Sequence, residues 1–290
     1  GVMLADVGNV TASVVAIGNN APITLATNTP AGNYTQQVTS LTGASATNYL
    51  LASVGNTQGT LTVNPKALTI TSGSVTKTYG QTYSTNASLF SANGLVAGDT
   101  ITSVVQTSSG GTSAQDSVGN YSITPSGASG NSFNPNNYAI TYQSGTLAVQ
   151  PATLTYTVSN STSTYGTTPV LGNVSFNGLY NNDTVGAALA ITNGNGPVNI
   201  AANTPAGNYT QQVTSLTGAS ATNYLLASVG NTQGTLTVNP KALTITSGSV
   251  TKTYGQTYST NASLFSANGL VAGDTITSVV QTSSGGTSAQ

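Results

Sequence analysis

Residues 203–290 repeat residues 28–115 without one substitution, at an offset of 175. A unit that recurs intact must fold by itself or with its immediate neighbours, so the chain reads as an array rather than one large domain. Identity over so long a stretch also marks recent duplication of the coding sequence. Upstream of the two copies the likeness fades at once, with Thr27 facing Ala202. Further up, Gly1-Val2 and Asp6 match Gly178-Leu179 and Asp183, while Pro22, Ile23 and Leu25 match Pro197, Val198 and Ile200.

A shorter, diverged period lies inside the longer one. Asn64-Pro65, Gln150-Pro151 and Asn239-Pro240 each close a Gly-Thr-Leu-x-Val segment and open the next run of alternating residues. Pro65, Pro151 and Pro240 are separated by 86 and 89 residues, which together make the 175-residue offset. The expected organisation is therefore 1–65 as the C-terminal part of a repeat domain, 66–150 and 151–239 as complete repeat domains, and 240–290 as the N-terminal part of another. The sequence reads as a window of a longer polypeptide.

Each period is a series of short alternating runs: Leu68-Thr69-Ile70-Thr71, Tyr121-Ser122-Ile123-Thr124, Tyr138-Ala139-Ile140-Thr141-Tyr142, Thr146-Leu147-Ala148-Val149 and Leu154-Thr155-Tyr156-Thr157-Val158. Period-2 alternation rich in Thr, Val, Ile and Tyr is the signal of a half-buried strand. Asn93-Gly94, Gly110-Gly111, Gly119-Asn120 and Asn193-Gly194 punctuate the runs as turns. No sustained 3.6-residue pattern with caps occurs. The expected fold class is all-β: a tandem array of small antiparallel Ig-like β-sandwich domains, with a β-grasp-like topology as the alternative. A parallel β-helix would show a rung period of roughly 20–25 residues, and the sequence has none.

Charge is the compositional anomaly. Only 3% of residues are charged, four lysines (66, 77, 241, 252) against five aspartates (6, 99, 116, 183, 274), where an ordinary domain carries roughly 25%. Four scattered lysines cannot replace the counterions of a nucleic acid, so nucleic-acid binding is not expected. The absence of His and Cys removes the usual ligands of zinc and haem, the thiol nucleophile and the Ser-His-Asp triad. No run of apolar residues is long enough to insert in a membrane, and residues 1–27 lack the basic start of a signal peptide. No catalytic, cofactor-binding or metal-binding residue is assigned, and the chain is not expected to be an enzyme.

Five landmarks recur in fixed order. The first is Thr-Tyr-Gly (Tyr79, Tyr165, Tyr254). The second is Gly-Leu-x-x-x-Asp (Gly94 with Asp99, Gly178 with Asp183, Gly269 with Asp274). The third is Gly-Asn-Tyr (Tyr34, Tyr121, Tyr209). The fourth is Asn-Tyr (Tyr49, Tyr138, Tyr224). The fifth is Gly-Thr-Leu-x-Val (Leu61, Leu147, Leu236). This ordered set resembles the MBG/YDG family of bacterial β-rich repeats found in giant haemagglutinin-like filamentous adhesins. Residues 151–239 depart from the pattern, with Ser163 in place of Lys77 and Asn182 in place of Gly98. The resemblance implies a secreted, non-catalytic, adhesive or scaffolding role.

The landmark residues themselves read as structural. The tyrosines are expected to bury their rings and tie their hydroxyls to backbone at sandwich corners. The glycines are expected at positive-φ turns, and the aspartates in Asx-type contacts with nearby backbone. The lysines are expected to be solvated. A Lys–Asn isopeptide cross-link would need a buried lysine beside an acid, and 151–239 contains no lysine at all.

The expected function is the structural shaft of a giant secreted bacterial surface adhesin or extracellular filament, outside the cell or in its matrix. Its partners would be neighbouring repeats and further copies of itself. The alternative is a carbohydrate- or surface-binding module directed at host or matrix glycans. With few titrating groups, folded and unfolded states differ little in bound protons. Thermal melts between about pH 4.5 and pH 9, with and without EDTA or reductant, should therefore give nearly one melting temperature; a drop of more than about 10 °C on chelation would reveal a metal site.

Overall fold

The computed structural model describes residues 10–289, so the match of Asp6 with Asp183 lies outside the described residues. Contacts divide the chain into two compact units, Gly1–Gln150 and Pro151–Gln290. Among the described residues the only helices are three-residue 3-10 turns at Ala46–Asn48, Pro135–Asn137 and Ala221–Asn223. No helix is long and apolar enough to cross a membrane.

In the first unit, β1 (Thr11–Gly18), β2 (Ala21–Ile23), β3 (Gly32–Thr42) and β4 (Gly59–Val63) form one sheet in the order β2-β1-β3-β4. The next stretch builds a sandwich of two facing sheets. One is β10-β5-β7, from Tyr138–Gln143, Lys66–Ser72 and Phe90–Asn93. The other is β6-β11-β9-β8, from Val75–Thr78, Gly145–Gln150, Gly119–Ser129 and Ser103–Ser108. The core between them joins Leu68, Ile70 and Tyr138 of the first sheet to Val104 of the second, with Phe133 stacked on Tyr138 at 5.3 Å between ring centroids.

The sandwich is mixed, not purely antiparallel as the alternation suggested. Its first and last strands run parallel: β5 pairs β10 from Lys66↔Tyr138 to Thr71↔Gln143, and β6 pairs β11 from Val75↔Leu147 to Thr78↔Gln150. Both pairings hold the same sequence separation of 72. The two strands therefore bend from one sheet into the other side by side, without a slip. The bend sits at Gly73 and Gly145, where a Cβ on Gly145 would strike the Gly73 carbonyl oxygen and lie 2.6 Å from that of Ser72.

In the second unit, β12 (Ala152–Val158), β14 (Val174–Asn177) and β17 (Tyr224–Leu226) form the order β14-β12-β17. They face β13 (Ser161–Thr164), β18 (Gly234–Asn239), β16 (Gly207–Thr217) and β15 (Gly186–Thr192) in the order β13-β18-β16-β15. Here the parallel separation grows from 72 at Ala152↔Tyr224 to 75 at Ser161↔Leu236. Three extra residues loop out of the last strand near 227–231. Asn231 fills the gap: its side-chain oxygen accepts the Tyr156 N–H at 3.1 Å, and its amide donates to the Ala227 carbonyl at 2.7 Å. Part of the length difference between 66–150 and 151–239 thus lies at this bend and not in a distant surface loop.

The identical copies show what is local. The hairpin of β19 (Thr244–Ser247) and β20 (Phe265–Asn268) has the register of β5 with β7, residue for residue at the 175 offset. Leu243 and Ile245 are nevertheless 41% and 37% exposed, where their copies Leu68 and Ile70 are 1% and 0%. The hairpin is written in the first half of a repeat. Its burial comes from the second half.

One polar group inside each sandwich has changed strand. In 66–150, Gln106 of β8 is buried: it accepts from Ser72 Oγ at 2.9 Å and donates to the carbonyls of Asn86 and Leu89 at 2.7 and 2.8 Å. In 151–239 the neighbouring strand supplies the amide. Fully buried Gln211 of β16 accepts the Gly172 N–H at 2.8 Å and donates to Ser161 Oγ at 3.2 Å. The pairings place Gln211 level with Ile123, and Leu189 level with Gln106.

The outer strands β8 and β15 carry no charge, the usual guard against edge-to-edge pairing. Their pairings instead shift register, between Ser103 and Val105 and between Ala188 and Leu189. Such irregularities twist an edge out of line.

Gly145→Ala should destabilise the chain by about 1–3 kcal/mol through overpacking against backbone. Gly285→Ala, with open space around it, should change the denaturation midpoint negligibly. Chemical denaturation of both variants tests the bend.

Candidate functional site

The tyrosines of the third landmark behave alike in all three places. Tyr34, Tyr121 and Tyr209 each donate a hydroxyl hydrogen bond to the carbonyl four residues earlier, of Pro30 at 2.7 Å, Ser117 at 2.8 Å and Pro205 at 2.7 Å. This is the corner contact expected from the sequence: the ring lies on the core while the hydroxyl closes the loop that precedes its strand.

The second and fourth landmarks meet. Tyr138 donates its hydroxyl to Asp99 Oδ2, and Tyr224 donates to Asp183 Oδ2 at 2.7 Å. The same two phenol oxygens accept the backbone N–H of Val96 and of Tyr180, each at 3.0 Å. The aspartate N–H groups close the turns onto the carbonyls of Val96 and Tyr180 at 3.1 and 2.9 Å. The motif aspartate thus fastens the Gly-Leu loop to the strand after the Asn-Tyr turn. It serves a tyrosine across the fold, where the sequence suggested a local Asx contact. The local contact belongs to Asp116, whose carboxylate accepts the Ser113 N–H at 2.8 Å. Burial first, and then the hydrogen bond to Asp99, push the Tyr138 phenol above its ordinary pKa.

Two glycine positions explain the loop's sequence. Gly94 and Gly178 have φ of 114° and 104°, and a Cβ on Gly178 would lie 2.8 Å from the Thr153 carbonyl oxygen. Gly98, at φ 98°, is replaced by Asn182 at φ 57°. Asn is the side chain that best tolerates the left-handed region, so the departure leaves the turn intact.

Lys77 overturns the expectation of a solvated lysine. It is 7% exposed, and its ammonium donates to the carbonyls of Gln81 (2.7 Å) and Ser113. Ser113 also bonds Asp116, so a cation and an anion hold opposite sides of one turn. In 151–239 both charges are gone together. Thr204 takes the place of Asp116, accepting the Ala201 N–H through Oγ1 at 2.9 Å, and Ser163 at the lysine position bonds Thr167 Oγ1 at 3.0 Å. Burial lowers the Lys77 pKa and the nearby Asp116 charge partly restores it. Both hydrogen-bond partners of its Nζ are backbone carbonyls, which offer no side-chain carbonyl for an isopeptide bond. Lys252 makes the same two contacts, to Gln256 and Ser288 at 3.0 and 2.7 Å. This clamp is therefore local to the first half of the repeat.

These contacts are structural in kind. Tyr79, Tyr138, Tyr209 and Tyr224 are between 3% and 6% exposed, so their rings offer no platform to a ligand. A cleft of about 610 Å³ is lined by Ile23, Asn28, Pro30 and Tyr34 among others, and the residues lining it include no titratable pair. Among the described residues no three potential metal-binding side chains gather. Sequence reasoning missed the buried Gln106, Gln211 and Lys77. The only signal was phase, since each stands two residues from an apolar side chain on the inward face: Val104, Tyr209 and Val75.

Residues 68–148 match the MBG domain (YGX type) family, so the resemblance drawn from the five landmarks holds for that stretch. No curated protein matches the chain. Among solved structures, the crystal structure of the I9–I11 tandem from titin is similar at 13% identity and a TM-score of 0.27, over 79% of this chain and 89% of that one. A likeness this loose carries no argument. The all-β sandwich assignment rests on the strand pairings above.

Tyr138→Phe should cost about 1.5–3 kcal/mol, the worth of a hydrogen bond to a charged group. Because the folded phenol pKa is raised, its stabilisation is complete below about pH 10 and is lost as pH rises through the folded value. Lys77 has the opposite sign. With its folded pKa lowered, the unfolded chain binds more protons between that value and about 10.4, and stability rises with pH there. Denaturation between about pH 8 and pH 11.5 should lose the alkaline fall in Tyr138→Phe and the preceding rise in Lys77→Met. Lys77→Ser combined with Asp116→Thr should be milder than the sum of the single variants, by about 0.5–3 kcal/mol.

Proposed function

We propose that this chain is a stretch of the load-bearing shaft of a secreted bacterial surface adhesin or extracellular filament. The observation that carries the reading is the parallel pairing of the first and last strands in 66–150 and again in 151–239. Parallel neighbours at the two ends of a repeat mean that the chain enters at one end and leaves at the other. A strand pair running from Lys66 to Thr78 spans roughly 40 Å at ~3.3 Å per residue. The Asn-Pro and Gln-Pro junctions leave little slack, since proline fixes φ and holds the preceding residue extended. Tension on the ends of such a repeat pulls its terminal strands in opposite directions along their length. Their hydrogen bonds are then loaded together in shear rather than opened one at a time.

In this reading the partners are neighbouring repeats and further copies of the chain, and the setting is outside the cell. The burial of Tyr79, Tyr138, Tyr209 and Tyr224, and turns closed by the chain's own side chains, support a scaffold over a glycan-binding module. Single-molecule pulling on the 290-residue chain should give discrete force peaks. Each should release roughly 250 Å of contour, about 85 residues at ~3.5 Å less the folded length. Featureless extension at low force would reject the shaft, and selective signal on a glycan array would favour the binding module.

A further inference from the structure

The second unit holds one contact that no repeat makes within itself. Tyr165, of the Thr-Tyr-Gly landmark in 151–239, donates its hydroxyl to Asp274 Oδ1 at 3.0 Å. Asp274 belongs to the following segment, beyond the Asn239-Pro240 junction. In the repeats where the second half is present, the equivalent aspartates use the other oxygen, Oδ2, for the tyrosine of their own fourth landmark: Asp99 for Tyr138, Asp183 for Tyr224. Oδ1 of Asp183 accepts from Ser220 at 3.1 Å, and a carboxylate has room for about four such bonds.

The surroundings of Tyr165 are fitted to the following segment as well. A Cβ on Gly166 would lie 2.7 Å from Val271 Cγ2 and 3.5 Å from Lys241 Cδ, so the glycine after the landmark tyrosine lets the next loop approach. Gly166 sits at φ 92°, which glycine alone adopts freely. Tyr165, Asn203, Pro205, Pro240 and Lys241 line one cleft at this junction. The hydrogen bond to Asp274, ahead of burial, raises the Tyr165 phenol pKa.

We propose that the motif aspartate is a junction node: one carboxylate oxygen locks the loop of its own repeat, and the other receives the Tyr-Gly tyrosine of the repeat before it, fixing the angle between successive repeats. The inference rests on the shaft reading and names the residues that make the shaft stiff. It also accounts for two features that a single repeat leaves unexplained, although the Tyr165 ring itself packs on its own core. Tyr165 is only half-buried and lends its hydroxyl to nothing in its own sandwich, and Gly166 leaves space that only the next segment occupies.

The test uses the full chain, which has no cysteine. Val170→Cys and Val280→Cys, at positions 76% and 98% exposed, accept spin labels on the two sides of the junction. Double electron–electron resonance should give one narrow distance distribution in this parent. Tyr165→Phe keeps the ring and removes only the hydroxyl; the ratio of the narrow to the broad population should fall about fivefold, the worth of one hydrogen bond. Asp274→Ala should broaden the distribution equally, and Asp274→Asn, which still offers an acceptor, should restore it. A distribution unchanged in Tyr165→Phe would overturn the node while leaving a shaft held by proline alone. A broad distribution already in the parent would overturn the node and the stiff shaft together.

Discussion

Each repeat is closed by its own ends. The first strand has one partner in its own half, β7 for β5 and β14 for β12, and finds the other only in the last strand, so neither half of a repeat can finish the core alone. The twin fates of one sequence show this directly: Leu68 is sealed, while Leu243 is two-fifths exposed. Side-chain chemistry is identical at the two positions, and only the presence of the facing strands differs. The shared bend at Gly73 and Gly145 follows from the same closure. Two strands that must stay paired while moving from one sheet to the other have to turn at one level, and there is no room for a side chain between them.

A chain with so few charges has to satisfy buried polar groups by other means. It uses amides and phenols, whose desolvation costs less than that of an ion. Gln106 and Gln211 staple the bends, and tyrosine hydroxyls close the loops. Where a charge is kept, it is tied. Asp99 and Asp183 answer a tyrosine, and Lys77 and Asp116 occur as a couple that is replaced as a couple by Ser163 and Thr204. Losing one member alone would leave a buried ion without its compensation, which is far costlier than losing both.

Much of this was legible in the residues. The alternating runs at Leu68, Tyr121, Tyr138, Thr146 and Leu154 all fall in strands, and their apolar members point inward. The landmark glycines at 80, 94, 166 and 178 have positive φ, and the Gly-Asn-Tyr tyrosines make their corner bonds. Period-2 patterning, however, says which face is buried and nothing about strand direction, so the parallel closure was invisible. The meeting of Asp99 with Tyr138 is a contact 39 residues apart, and local rules reach only a few. The buried lysine was misread because its compensation comes from backbone carbonyls, which leave no mark in a sequence.

The exchanged glutamine bears on how a chain of near-copies folds correctly. Neighbouring repeats are the likeliest wrong partners, since they are close in sequence and similar in shape. The first half of 66–150 brings Gln106, and its proper second half brings Ile123. The first half of 151–239 brings Leu189, and its second half brings Gln211. Joining the first half of 66–150 to the second half of its neighbour would put two amides at one bend, and the reverse pairing would put none there. In the latter case the Gly172 N–H and Ser161 would lose their partner. Each stranded group costs about 1–3 kcal/mol. The parallel register adds a second mismatch, because one last strand runs through the bend at a constant separation of 72 and the other steps to 75. Exact copies recur only at the 175 offset, so a compatible half is never in the adjacent repeat. Alternating two complementary versions of one fold thus lets duplication lengthen the array without making immediate neighbours interchangeable.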